Sequence, residues 1–568
     1  MSVSRAAEPT DDPEAVRWDA IVIGAGMGGA TAGFELARLG RRVLFLEKGR
    51  FVQREGDTVR GDLGDQIGNP EERVRRGYWP QPLAGLMGVR APDARERRSH
   101  PIHALKGGEV EFFGPLGCGT GGSTILYGAT LERFFPSDFA PRANFPEVAD
   151  STLPERWPIS YAELEPFYRR AERIFRVRGT PDPMHPSASD PLPEPAELNA
   201  QDRDVFELFV RKGLHPYRIH IGCRFVEGCD GCAGRVCLRD CKSDAGRVCV
   251  IPAVDQHGAR LLTECEVTRL EADRARVTRV HARWRGRELA LEARMVIAAA
   301  GALMTPVLLL NSTAEHWPNG LANGSGLVGR NLMVHTGDMI AVRSGVGRTG
   351  TGFNKSLSIN DLYVARGRKL GNFQSVGVQV DTGSVLAHVQ TTLAKGPRWL
   401  RRLAHPLLLR VIARIGAWYF RNSVIFGSIV EDLPYLENRV LPDPRSPNGM
   451  RFEYRYPPEL AERNALFRSE LARRLGRTRV VTLTRPMNLN FGHLCGTARF
   501  GDDPGASVLD RNNRAHEVEN LYVVDGSFFP SSGGTNPSLT IAANALRVAE
   551  AIHAELARGA NERAAESR

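Results

Sequence analysis

The apolar positions fall into short runs and helical stripes whose order is that of a parallel α/β unit. The run AIVIG, residues 20–24, is continuous and β-branched in its middle, as suits a strand buried on both faces of a parallel sheet. Met27–Leu39 carries helix formers with apolar positions at helical spacing, and Gly40 supplies a stop. RVLFLE, residues 42–47, predicts a second strand that ends on Glu47. Residues 293–312, ARMVIAAAGALMTPVLLLNS, predict a buried strand, a small-residue turn and a helix. Near the end, NPSLTIAANALRVAEAI predicts a helix with Asn536 at its N-cap and Pro537 at its first position.

A different stripe occupies residues 398–421. Trp399, Leu403, Leu407, Val411 and Ile415 recur four apart, with arginines between them. Such a segment predicts a surface helix, or a face for peripheral membrane or partner contact, and Pro406 is expected to break or kink it. No uncharged stretch reaches the roughly 18 residues that a spanning helix needs.

The chain has 568 residues, 42% of them apolar, enough for two to four domains' worth of core. The net charge of +10 rests almost wholly on arginines interspersed with acids. No basic tract with interleaved aromatics is present, so nucleic acid is not an expected partner. The N-terminus is polar and acidic, without an apolar signal region, and the expected location is cytoplasmic. Residues 1–16 and 558–568 are expected to be flexible termini.

The first strand–helix–strand unit carries Gly24, Gly26 and Gly29 as G-x-G-x-x-G. Gly24 suits a tight turn, Gly26 a close approach to pyrophosphate, and Gly29 tight packing of helix on strand. The helix N-terminus offers free N–H groups to the phosphates. Glu47 stands where a carboxylate can accept both hydroxyls of an adenosine ribose, which favours FAD or NAD over NADP.

Other segments follow in an order that resembles one family. They are FFGPLGCGTGGSTILYGATLERF (112–134), the 293–312 unit, SGLVGRNLMVH, FGHLCGTARFG and NLYVVDGSFFPSSGGTNPSLTIAANALRVAEAI. Together they resemble the glucose–methanol–choline (GMC) FAD-dependent oxidoreductases, most closely the sugar, polyol and alcohol dehydrogenase branch. The resemblance implies an α/β fold: a Rossmann-like FAD-binding domain interleaved with an antiparallel-sheet substrate domain. It implies 17–135, 243–335 and 486–555 for the first, and 136–242 and 336–485 for the second, which includes a cysteine-rich loop at 222–250. Gly24, Gly26, Gly29 and Glu47 would hold the ADP half of FAD. Gly121, Gly122 and Ser123 would line the pyrophosphate and flavin, with Tyr127 at the flavin edge. Val267 would meet the adenine through its backbone, and Asp525 and Gly526 the ribityl chain. Leu126 stands where covalently flavinylated members carry His, so the FAD is expected to be non-covalent.

The same resemblance places a catalytic base at His493 and a second polar residue at Asn536, with Pro537 beside the flavin. Histidine suits the base role because its ordinary pKa lies near operating pH. The expected substrate is a sugar, polyol or other alcohol, oxidised at CH–OH, with steroid and long-chain alcohols left open. An oxygen-using alcohol or steroid oxidase is the alternative, and a non-catalytic flavoprotein subunit a more distant one.

Six of the nine cysteines lie in GCRFVEGCDGCAGRVCLRDCKSDAGRVCV (222–250). Their spacing is neither a paired zinc-ribbon pattern nor a ferredoxin run. Iron–sulfur, another metal, disulfides and free thiols all remain open. Some sugar dehydrogenases of the family hold an iron–sulfur cluster in this region. By that resemblance Cys232, Cys237 and Cys241 would be ligands, with Cys223 and Cys229 as alternates. Electrons would then leave singly to an acceptor protein or a quinone.

Overall fold

The structure is a computed structural model. It describes residues 12–53, 102–103, 116–187, 191–226, 229, 237, 240–347, 355–377, 380, 382, 385–386, 389, 393, 405–446, 449–484 and 489–566. In chain order the elements that position the site begin with β1 (Trp18–Ile23), α1 (Met27–Arg38), β2 (Val43–Leu46) and α2 (Tyr161–Ile174). Next come α3 (Ala200–Arg211), β3 (Tyr217–Arg218), β4 (Arg260–Leu262), β5 (Cys265–Ala272), β6 (Val277–Trp284) and β7 (Arg287–Leu291). They are followed by β8 (Ala293–Ala298), α4 (Gly301–Asn311), β9 (Met333–Thr336), β10 (Met339–Arg343), β11 (Leu357–Ile359) and β12 (Gly371–Ser375). The chain closes with α5 (Pro406–Phe420), β13 (Ser423–Val430), α6 (Pro458–Leu475), β14 (Val480–Thr482), β15 (Leu489–Cys495), β16 (Leu521–Val523) and α7 (Ser538–Glu566).

Five strands form a parallel sheet in the order β16-β8-β1-β2-β4. β1 is central, and β2 and β8 leave it on opposite sides, so the crevice at its carboxyl end is a topological switch point. Its strands are buried, with α1 against β1 and β2 and with Leu270, Val280 and Leu289 of β5, β6 and β7 in the same apolar core. Gly24 follows β1 with φ +98, and a Cβ there would lie 2.5 Å from the Ala299 carbonyl oxygen. A Cβ on Gly29 would lie 2.1 Å from the Gly24 carbonyl oxygen, so α1 rests on the turn with backbone against backbone.

The second sheet has eight strands, with the path β14-β10-β13-β12-β11-β3 and with β9 and β15 joined to it through β13. Its core includes Phe209 from α3, Phe373 and Phe426 from the sheet, and Phe467 and Leu471 from α6. β9 and β15 join this sheet, although both contain residues that the sequence assigned to the cofactor half.

Three local expectations are corrected. Pro406 begins α5 at a position where a missing N–H costs nothing, instead of kinking it. α7 starts at Ser538, with Ile541 N–H donating to the Pro537 carbonyl, so Asn536 lies outside the helix cap. The same helix runs on to Glu566, through most of the terminus expected to be flexible. The sequence stripe before residue 405 lies outside the described residues.

One buried ion group joins three segments that are far apart in the sequence. Lys369 is 1% exposed and pairs with Asp138 and, at 2.8 Å, with Glu431, both carboxylates fully enclosed. Replacing Lys369 by Met leaves two uncompensated buried carboxylates. Lys369→Met is expected to lower unfolding free energy by about 3–5 kcal/mol in a urea titration; a loss within ~0.5 kcal/mol, as at an unconstrained surface position, contradicts the assignment.

Candidate active site

The second glycine loop docks on the first. Gly121 N–H donates to the Ala25 carbonyl at 2.9 Å, and Gly121 and Gly122 have φ of +99 and +53. Ser123 follows, exposed, its hydroxyl accepting from Gly117 N–H at 3.2 Å. Gly26 lies opposite, where a Cβ would have only Gly122 Cα near it, at 3.9 Å. Glu47 clasps both loops: its carboxylate accepts Ala25 N–H at 2.9 Å, Gly49 N–H at 2.8 Å and Gly119 N–H at 3.1 Å. A carboxylate offers about four acceptor positions. Three are taken by backbone, which leaves about one for a ribose hydroxyl instead of the two expected. Burial raises the Glu47 pKa despite these donors.

Val267 lies on β5, two residues past Cys265, whose N–H donates to the Glu47 carbonyl at 2.9 Å. The expected adenine-side strand therefore lies beside the end of β2. Asp525 follows β16 and accepts from Gly301 N–H at 2.8 Å, Thr305 hydroxyl at 2.5 Å and Ser527 N–H at 2.8 Å. Gly526 brings that turn against β15, where Gly496 N–H donates to its carbonyl at 3.0 Å.

β15 carries His493, and β9 carries His335. The antiparallel register pairs Met333 with Cys495 and Val334 with Leu494, so the next residues along, His335 and His493, meet across the ladder. Their rings are edge-to-face with centroids 5.1 Å apart. His335 Nε2 lies 2.8 Å from the Gly533 carbonyl, which can only accept, so this nitrogen carries the proton. His335 Nδ1 is therefore the acceptor in its 3.0 Å contact, and His493 Nδ1 the donor. His493 Nε2 is left with a lone pair, 3.2 Å from Asn536 Nδ2, which donates to it. The two residues that the sequence paired, 43 positions apart, are thus in hydrogen-bond contact.

Both rings are held neutral. Burial, the larger cause, pushes His335 down to about 4. Burial also lowers His493 well below the ordinary histidine range, followed by its nearness to His335 and Lys355. Lys355 is itself buried, which with Lys242 nearby brings its pKa to about 7. Its ammonium nitrogen sits over Gly128, 2.1 Å from where a Cβ would be. His335 and Lys355 escaped the sequence reading. A histidine ending the otherwise apolar run NLMV was the signal for the first; nothing local marked the second.

Tyr127 is turned from this centre toward the cysteine loop. Its hydroxyl donates to the Ser243 carbonyl at 2.5 Å, and Lys242 Nζ donates to the Tyr127 carbonyl at 3.2 Å. Ala129 and Ile221 share an apolar cluster with Cys223, Cys237 and Cys241, against which Tyr127 and Cys229 pack. Cys223 and Cys229 sulfurs are 3.7 Å apart, and Cys241 N–H donates to Cys237 Sγ at 3.4 Å. Burial pushes the Cys241 thiol up to about 12. No disulfide joins any two of the described cysteines. Among the described residues no group of His, Cys, Asp or Glu has the arrangement of a metal site, and Cys232 lies outside them.

A dinucleotide fits the crevice on one further ground. Among the described residues, the buried Thr535 hydroxyl and the Asn536 amide oxygen have no hydrogen-bond partner. Buried polar atoms need partners, and these two lie just before the start of α7.

Known proteins agree with this architecture. Two segments, residues 220–337 and 457–545, match the GMC oxidoreductase family. The chain is 28% identical to paromamine 6'-oxidase of Streptomyces fradiae, over 95% of this chain and 92% of that one. It is 28% identical to 2-methyl-1,2-propanediol dehydrogenase of Mycolicibacterium austroafricanum, covering 94% and 95%. It is 25% identical to the fructose dehydrogenase large subunit of Gluconobacter japonicus, covering 96% and 99%. Among solved structures, formate oxidase superposes with a TM-score of 0.61 at 16% identity, covering 95% and 98%, which is a likeness of fold. Residues 220–337 and 457–545 are thus GMC oxidoreductase segments, and members of that enzyme family are FAD-binding flavoproteins acting on alcohols and sugars.

The tautomer chain has a direct spectroscopic consequence. His493 is expected to titrate below the ordinary value near 6.5, followed by nitrogen-15 histidine NMR with His493→Gln to assign the signal. A midpoint at or above that value contradicts the arrangement.

Proposed function

We infer that this chain oxidises a CH–OH group of a sugar or polyol to the carbonyl, with His493 as the base. The observation that carries this is the His493 Nε2 lone pair, fixed by His335 and held beside Asn536 Nδ2. A substrate hydroxyl placed between them gives its proton to His493 Nε2 and keeps its oxygen on the Asn536 amide. His335 is the positioning residue that keeps the His493 proton on Nδ1 and its Nε2 atom unprotonated. FAD, when bound, supplies the acceptor for the hydride.

Gly24, Gly26, Gly29 and Glu47 would hold its ADP half, and Val267 the adenine. Gly121, Gly122 and Ser123 would face the pyrophosphate and flavin, with Asp525, Gly526 and Pro537 on the other side. The N-terminal end of α7, two residues after Asn536, adds a positive dipole end next to the base. Relatives named for paromamine, 2-methyl-1,2-propanediol and fructose support a polyhydroxylated substrate.

Anaerobic mixing with a panel of sugars and polyols tests the base. Where wild type bleaches its flavin, His493→Ala is expected to retain the flavin and bleach about 10²–10⁴ times more slowly. An unchanged rate removes His493 from the role.

For the electron exit, the supporting observation is the packing of Cys223, Cys237 and Cys241 behind the Tyr127 loop. A cluster on Cys232, Cys237 and Cys241 would supply one-electron transfer to a protein or quinone acceptor. Relatives named oxidases favour a second reading, in which oxygen is the acceptor and the cysteines are structural. Iron and acid-labile sulfide are expected in stoichiometric amounts after anaerobic purification. Their absence, with peroxide formed in air as fast as dye is reduced under nitrogen, selects the oxidase.

A further inference from the structure

The strands β12 and β13 are adjacent and antiparallel, with Ser375 paired to Phe426. A hairpin needs about 2–5 residues to make that return. Here the chain makes an excursion through residues 376–422, and α5 is its last helix. α5 rests on a narrow ridge: Leu409 and Ala413 are buried against Leu386, with Val385, Val389 and Leu393 packed around them. Gly416 allows the close approach, since a Cβ there would meet Val385 at 2.7 Å.

The rest of the helix is turned outward and is apolar. Leu407 is 64% exposed, Ile415 60% and Trp418 62%, and Val411, Ile412 and Tyr419 are exposed beside them. At 3.6 residues per turn these six side chains fall within an arc of about 140°. Arg410 and Arg414 are exposed along one flank of that arc, and Arg421 follows the helix on the same side. The helix contains no Asp or Glu. Arg421 lies 5.2 Å from the Trp418 ring, and Arg343 of β10 lies 4.2 Å from the Tyr419 ring. Trp418 and Tyr419 in the last turn are thus each backed by a guanidinium.

We propose that α5 docks this protein on an anionic lipid bilayer, lying in the headgroup plane with its apolar arc inward and its arginines on the phosphates. Three features select that occupant over a protein groove. The apolar arc is bordered by cations and carries no acid, which matches a surface of lipid phosphates. Trp418 and Tyr419 are the residue types that sit at the boundary between headgroup and acyl chain. The described helices include none long and apolar enough to cross a membrane, so α5 lies on the surface.

Co-sedimentation of the purified full chain with vesicles tests this. Binding is expected to phosphatidylcholine vesicles containing phosphatidylserine, to weaken in high salt, and to be much weaker on phosphatidylcholine alone. Trp418 fluorescence should shift to the blue on binding, read against Trp418→Phe. Each of Arg410→Ser and Arg414→Ser is expected to lower partitioning about five-fold. Ile415→Ser with Trp418→Ser should lower it about a hundred-fold, with circular dichroism and urea midpoint unchanged. No binding to the anionic vesicles at low salt, or equal partitioning of wild type and variants, overturns the proposal. A dimer in sedimentation equilibrium that Ile415→Ser dissociates also overturns it, and assigns the face to a second copy of the chain.

Discussion

The buried Lys369, between Asp138 and Glu431, is the constraint on which the site depends. A charge removed from water is tolerated only when its partners satisfy it completely, so these three groups fix three separate segments with respect to one another. Glu431 also accepts the Gly533 N–H at 3.2 Å, and Tyr363, which donates to Asp138 at 2.6 Å, accepts the Gly534 N–H at 3.1 Å. The turn before Asn536 is thereby held at both of its glycines. The Gly533 carbonyl in that turn is the acceptor that orients His335. From an ion group to a peptide plane to two imidazoles, each step leaves the next with one satisfied arrangement.

The proposed base is therefore prepared by exclusion of alternatives more than by attraction of a proton. Buried histidines without an anion beside them stay neutral, because desolvation disfavours the imidazolium. Neutral rings in a chain that begins at a carbonyl have one consistent set of proton positions. Asp432 supports the same region from below, accepting Val334 N–H at 2.7 Å and the Tyr454 hydroxyl at 2.8 Å.

The parallel sheet and its glycine turn were legible because they are local. A β-branched run, three glycines, a helix and a terminal acid occur within one short stretch, and each has its own physical reason. His493 and Asn536 were legible as a pair only through the family's order of motifs. His335, Lys355 and Glu431 were not, since each acts through partners far along the chain, and a lone buried lysine or glutamate has no local pattern. Pro406 was misread for a related reason. A proline inside an apolar stripe signals a kink or a start equally well, and what decided it was where α5 packs on Leu386. Glu47 shows the reverse case: the residue was found, but its backbone partners reduce what it can offer a ligand.

The two imidazoles that meet in the site are 158 residues apart in sequence and are brought together by a strand pair, β9 with β15, that no turn connects. Such a contact closes late, because the entropy of a long loop is spent before the contact forms. The glycine cradle, made within the first strand–helix–strand unit and the loop docked on it, has no such requirement for its first half. During synthesis or refolding, the first glycine turn can therefore form before the two imidazoles meet. A chain arrested between the two would have the turn and not the imidazole pair.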